Sequence, residues 1–150
     1  MKPYTSKAKK AIDLATRISK KMNYSYVGTE HILAGLIKEG TGVAAEVLTA
    51  CNVEYDKLIS MIEDLISPGD NIEVMDRDGY SPRTQRVLER ASEDADRFEC
   101  NEIGTEHLLM AIVLQGDCAA ARLLNTMGVN SQKMFIDILG AMGEDPSAYR

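Results

Sequence analysis

The chain has 150 residues, a net charge of -6, and is 45% hydrophobic and 27% charged. That apolar share builds the core of one compact domain and excludes wholesale disorder. The acidic balance argues against nucleic acid as a partner, and no run approaches the roughly 18 apolar residues that span a membrane. Met1 to Lys10 is basic, but no apolar signal core follows it, so the expectation is a soluble, cytoplasmic chain.

Aromatic residues make up 5% and Trp is absent, so the core is aliphatic, and its Ala and Met favour helix. Taken in chain order, the apolar positions Ala8, Ala11, Ile12, Ala15, Ile18 and Met22 mark one face of a first helix, about Thr5 to Met22, capped by Thr5. The run Tyr24 to Val27 reads as a loop. A second helix, about Thr29 to Lys38, takes Thr29 as its N-cap and Glu30 in its first turn. Its near-continuous apolar run marks it as buried. Gly40 and Gly42 end it. A short third helix covers about Val43 to Cys51, and a fourth about Tyr55 to Ile66.

The plan then repeats. Gly28-Thr29-Glu30-His31 returns as Gly104-Thr105-Glu106-His107, an offset of 76, and the halves align at that offset without a gap. Tyr4 falls on Tyr80, Lys7 on Arg83, Leu33 on Leu109 and Ala44-Ala45 on Ala120-Ala121. Ser81 caps a helix with Pro82 at its first position, running to about Phe98. Helices follow over about Thr105 to Leu114, Asp117 to Met127 and Ser131 to Met142. The expected fold is therefore all-α: two tandem, pseudo-symmetric four-helix repeats, residues 4–66 and 80–142. An acidic Pro- and Gly-bearing linker (67–79) joins them, and the tail (143–150) lacks helical periodicity.

Three cysteines, Cys51, Cys100 and Cys118, lie far apart and form no C-x-x-C pair, so neither a disulfide framework nor a zinc site is expected. His31 and His107 lack the partner four residues on that H-E-x-x-H zinc chemistry needs. The expectation is that each packs at the start of a buried helix and hydrogen-bonds nearby. Glu39-Gly40-Thr41-Gly42-Val43 lacks the third glycine of a dinucleotide loop, and no Walker motif is present. Neither catalytic residues nor a cofactor is expected.

Glu30 and Glu106 admit two readings. A carboxylate in the first turn stabilises its own helix. Beside free helix N–H groups it also offers both signs of charge in a small space. The carboxylate can grip a guanidinium while the N–H groups of Thr29 or Thr105, with Lys7 or Arg83, hold an anion. Tyr4 and Tyr80, just before their helices, are either hydrophobic staples or aromatic anchors for a partner protein.

With these residues in view, the sequence resembles the Clp N-terminal domain, most of all that of the ClpC branch of the AAA+ unfoldases. The resemblance rests on the doubled G-T-E-H followed by an apolar helix, on Glu39 to Ala45, and on the starts Tyr4-Thr5 and Tyr80-Ser81-Pro82-Arg83. It implies a non-catalytic, chaperone-type docking domain for adaptors of the MecA type and for protein substrates, above an unfoldase ring that feeds a ClpP-type protease. It also implies phosphoarginine recognition through Glu30 and Glu106. A stand-alone regulator or anti-adaptor acting on ClpC is the alternative.

Overall fold

The computed structural model describes residues 1–65 and 79–149. Among these run α1 (Ser6–Lys21), α2 (Thr29–Glu39), α3 (Val43–Ala50), α4 (Tyr55–Leu65), α5 (Pro82–Arg97), α6 (Thr105–Gln115), α7 (Ala119–Thr126) and α8 (Ser131–Ala141). Each bound of the first four helices returns 76 residues later. No strand occurs among the described residues. Ile66 and linker residues 67–78 lie outside them. In the tail, Pro146–Tyr149 makes one turn of 3-10 helix, because the Asp145 carboxylate accepts from the Ser147 amide and hydroxyl.

Capping chemistry sets the helix starts. The Thr5 hydroxyl accepts from the Ala8 amide at 3.1 Å, and Ser81 accepts from Thr84 at 3.2 Å with Pro82 at the first helical position. α7 begins at Ala119, two residues later than the sequence pattern suggests. The Asp117 amide bonds back to the Gln115 carbonyl at 2.7 Å, which holds Asp117 in the turn and leaves Cys118 as the N-cap.

The two central helices are α2 and α6, with Leu33 and Leu109 fully buried. Ala11 and Ala15 of α1 are fully buried too, and α2 presents Gly35 to them. A Cβ on Gly35 would overlap the Ala11 carbonyl oxygen, so small residues set how closely these helices approach. Helix-to-helix contacts then cross between repeats: α2 packs on α7 and α5, and α3 packs on α6 and α8.

The repeats also exchange backbone. Tyr4 forms a parallel bridge with Ile103, and Tyr80 forms the equivalent bridge with Val27. The supporting bonds are Thr5 N–H to the Ile103 carbonyl at 2.9 Å and Ser81 N–H to the Val27 carbonyl at 3.1 Å.

The start of α2 differs from the sequence reading. The N-cap of α2 is Gly28, not Thr29, and that of α6 is Gly104. The threonine hydroxyls turn to the other repeat. Thr29 Oγ1 accepts from the Ala120 amide of α7 at 3.1 Å, and Thr105 Oγ1 accepts from the Ala44 amide of α3 at 3.2 Å. Each threonine thus caps a helix that lies far away in sequence.

The cap of α2 itself falls to histidine. His31 Nδ1 accepts from the Gly28 amide at 2.8 Å, and His107 Nδ1 does the same with Gly104. An accepting Nδ1 requires the neutral ring. Burial holds the His31 pKa down to about 4, and that of His107 below the ordinary histidine value.

Two outcomes follow. Replacing Thr29 by Val should cost about 0.5–2 kcal/mol. Amide hydrogen exchange should then accelerate at Ala120, in the opposite repeat, and Thr105→Val should do the same at Ala44; acceleration confined to the mutated helix would contradict the exchange of caps. For His31, whose folded pKa lies below its unfolded one, protonation favours the unfolded chain. Its stabilisation is complete above pH 6.5 and falls by about 3 kcal/mol on descent to pH 4. Denaturant unfolding of His31→Gln, which keeps an acceptor for the Gly28 amide, should show a flatter pH profile than the parent.

Candidate functional site

Glu30 and Glu106 fold back over their own helix starts. A Cβ on Gly28 would overlap Glu30 Oε1, and one on Gly104 would overlap Glu106 Oε1. A larger residue there would push the carboxylate off its helix start; the backbone itself is extended and unstrained. The two carboxylates are not equally placed. Glu30 is 5% exposed, whereas Glu106 is half-buried. Burial raises the pKa of Glu30, opposed by a hydrogen bond from its own backbone and by the Arg122 guanidinium of α7.

Lys7 and Arg83 are held at helix starts of their own repeats, the starts that the other repeat's threonine caps. Lys7 Nζ donates to the Thr41 carbonyl at 3.2 Å, at the turn that starts α3. That is the helix capped by Thr105. Arg83 Nη1 donates to the Asp117 carbonyl and pairs with the Asp117 carboxylate at 3.3 Å, at the turn that starts α7. That helix is capped by Thr29. Among the described residues, neither Lys7 nor Arg83 forms an ion pair with Glu30 or Glu106.

Two composite sites result. One gathers Thr29 and Glu30 of the first repeat with the α7 start, Arg83 and Arg122 of the second. The other gathers Thr105 and Glu106 with the α3 start and Lys7. At each, the N-termini of two helices meet at a threonine hydroxyl beside a carboxylate, a geometry that suits a ligand carrying a cation and an anion close together. Offset arithmetic exposes one asymmetry: the position equivalent to Arg122 is Glu46, also exposed.

Tyr4 and Tyr80 sit half-buried against the core, and both follow or form the inter-repeat bridges. Burial pushes the Tyr4 phenol up to about 12, and the Tyr80 phenol adds to that effect. Sequence reasoning missed Arg122, the buried Glu39 carboxylate that accepts from the Gly42 amide at 2.7 Å, and the crossing of the Thr29 and Thr105 hydroxyls to the other repeat. Glu39 carried a local signal, a carboxylate three residues before a helix-starting glycine; Arg122 carried none. No group of three metal-ligating side chains comes together among the described residues.

This architecture matches known proteins. The family model of the Clp repeat (R) N-terminal domain matches residues 3–127 and again 79–149. The chain is 34% identical over 142 residues to the negative regulator of genetic competence ClpC/MecB of Bacillus subtilis, covering 95% of this chain and 17% of that protein. It spans less than a fifth of the length of the curated relatives it matches. Among solved structures, the N-terminal domain of ClpD from Arabidopsis thaliana aligns with a TM-score of 0.77 at 24% identity, covering 93% of this chain and 94% of that one. A complex of the ClpV N-domain with a VipB peptide aligns with a TM-score of 0.67 at 19% identity, covering 95% and 90%. Two gapless four-helix repeats, a doubled G-T-E-H motif and these matches together make the chain a member of the Clp N-terminal repeat domain family.

Proposed function

We propose that this chain is the substrate- and adaptor-docking domain of a ClpC-like, ATP-dependent unfoldase of the cytoplasm. Its clients include phosphoarginine-tagged proteins and its adaptors are of the MecA type. It acts by binding, without cofactor or catalysis of its own, and the unfoldase ring and a ClpP-type protease act on what it delivers. The observation that carries the reading is the pair of composite sites, each with a carboxylate folded over its own helix start beside a second helix N-terminus. Phosphoarginine carries both matching groups: a guanidinium for Glu30 or Glu106, and a phosphate for the amides and the basic side chains. The VipB peptide on the related ClpV N-domain supports peptide docking as a use of this fold. Tyr4 and Tyr80, each at a backbone bridge between the repeats, are the aromatic residues we assign to adaptor contact.

Calorimetry tests the sites. Glu30→Ala and Glu106→Ala should each weaken phosphoarginine binding at their own site by about 1.5–3 kcal/mol, the range for a charged hydrogen bond. Helix stabilisation alone predicts unchanged binding with a loss of about 0.3–1 kcal/mol of stability. A folded double variant that binds like the parent sinks the proposal, as does a parent that does not bind.

The Arg122 and Glu46 asymmetry makes a second outcome. The Glu30 site should bind phosphoarginine the more tightly of the two. Arg122→Glu should weaken that site roughly tenfold, about 1.4 kcal/mol, and leave the Glu106 site as it was. Two equal sites, both indifferent to Arg122→Glu, would show that the phosphate is held elsewhere.

A further inference from the structure

A groove of about 570 Å³ lies between the C-terminal turns of α1 and α2 and the body of α4. Ile18, Met22, Tyr55 and Ile59 form its apolar walls, each half-buried at the edge of the core. Tyr24 also lines it. That side chain is 8% exposed, and its buried hydroxyl has no partner among the described residues. Lys21 and Lys38 stand at the rim, with Glu63 the one carboxylate in the lining. Lys38 Nζ lies 4.7 Å over the Tyr55 ring. None of Thr29, Glu30, Thr105, Glu106, Tyr4 and Tyr80 lines this space.

The second repeat treats the equivalent positions differently. Lys38 corresponds to Leu114, Ile59 to Phe135 and Glu63 to Leu139. Leu139 is fully buried, and Leu114 and Phe135 pack on the core. There the positions serve packing. In the first repeat two of them are charged and the space beside them is unfilled.

The rim of the groove is basic on balance: Lys21 and Lys38 line it against Glu63, and α4 adds Asp56 and Asp64 against Lys57. On a chain of net charge -6, the C-terminal half of α1 beside the groove exposes Arg17, Lys20 and Lys21 and no acidic residue. Lys20, Lys21 and Lys38 also sit in last turns, where the helix dipole favours cations. The dipole accounts for the lysines and leaves the apolar space beside them unexplained. Apolar walls under a basic rim complement a segment with aliphatic side chains and acidic neighbours.

The geometry points to a peptide-docking groove on the first repeat, formed by α1, α2 and α4, that takes an acidic segment bearing aliphatic anchors. It is separate from the two carboxylate sites. It rests on the reading of this chain as a docking domain and adds a second class of client feature to phosphoarginine. Aliphatic side chains fill the walls, and Lys21 and Lys38 select acidic flanks and speed encounter at low salt.

The probe is a synthetic peptide of Leu alternating with Asp and Glu, titrated into the isotopically labelled chain and followed by amide shifts. Its counterpart carries Lys in place of each acid. The acidic peptide should shift Met22, Tyr24, Tyr55 and Ile59. Its affinity should fall with salt and drop at least tenfold in the Lys21→Glu/Lys38→Glu variant; the basic peptide should not bind. Both lysines are exposed, and a Lys21→Gln/Lys38→Gln variant, with its fold checked by circular dichroism, gives the same direction without new charge. Shifts centred on Glu30, Glu106 or the tyrosines overturn the inference. So do equal affinity for the basic peptide and self-association that fills the groove without peptide. A phosphoarginine peptide run in parallel separates the two readings. Binding of that peptide alone removes the groove and leaves the docking role intact, and loss of both removes both.

Discussion

Each half of this protein is capped by the other. The hydroxyls of Thr29 and Thr105 reach across the junction to the starts of α7 and α3, and the bridges at Tyr4 and Tyr80 tie the same junction from the backbone side. A helix start leaves its first N–H groups unpaired, and burial makes that costly unless a partner is found. Neither α3 nor α7 has a capping side chain at its own N-cap, Gly42 or Cys118. The partner must come from outside, and it comes from the G-T-E-H turn of the opposite repeat. Neither repeat satisfies the start of its own third helix without the other.

The same turn handles three problems with three consecutive side chains. Threonine faces outward to the other repeat. Glutamate bends back over glycine. Histidine turns inward and accepts the glycine amide. Protonating the histidine removes that acceptor, while protonating Glu30 relieves its buried charge, so the two groups oppose each other as pH falls. The neutral ring and the raised carboxylate both follow from placing a short polar turn at the mouth of an apolar helix.

Exchange of caps also builds the binding geometry. Because a threonine of one repeat sits on a helix start of the other, the N-terminal ends of two helices and the cations at the capped start collect at one place. Pseudo-symmetry makes two such places, and drift between the repeats makes them unequal: Arg122 faces one and Glu46 takes the equivalent position at the other. The groove beside α4 shows the same divergence, since the second repeat has spent those positions on its core. Symmetry supplied the scaffold, and departures from symmetry supply the chemical difference between its faces.

Much of this was legible in the residues. Apolar spacing, Thr5 and Ser81 as caps, Pro82 at a first helical position and the offset of 76 determine eight helices in two repeats, with Leu33 and Leu109 buried in the middle. These are local or periodic signals, and a helix obeys them because its hydrogen bonds and its apolar face are set within a few residues. The doubled Glu30 and Glu106 were visible for the same reason. Partners distant in sequence were not. A threonine after glycine reads as the cap of the helix it begins, and only the packed fold shows that histidine has taken that role and freed the threonine for Ala44 or Ala120. Lys7 and Arg83 read as sources of positive charge assigned to neither glutamate, and only the fold shows that each lies at the helix start that the other repeat's threonine caps. Sequence spacing carries no term for contacts made across some 60 to 90 residues, so tertiary packing alone decided which charges share a site.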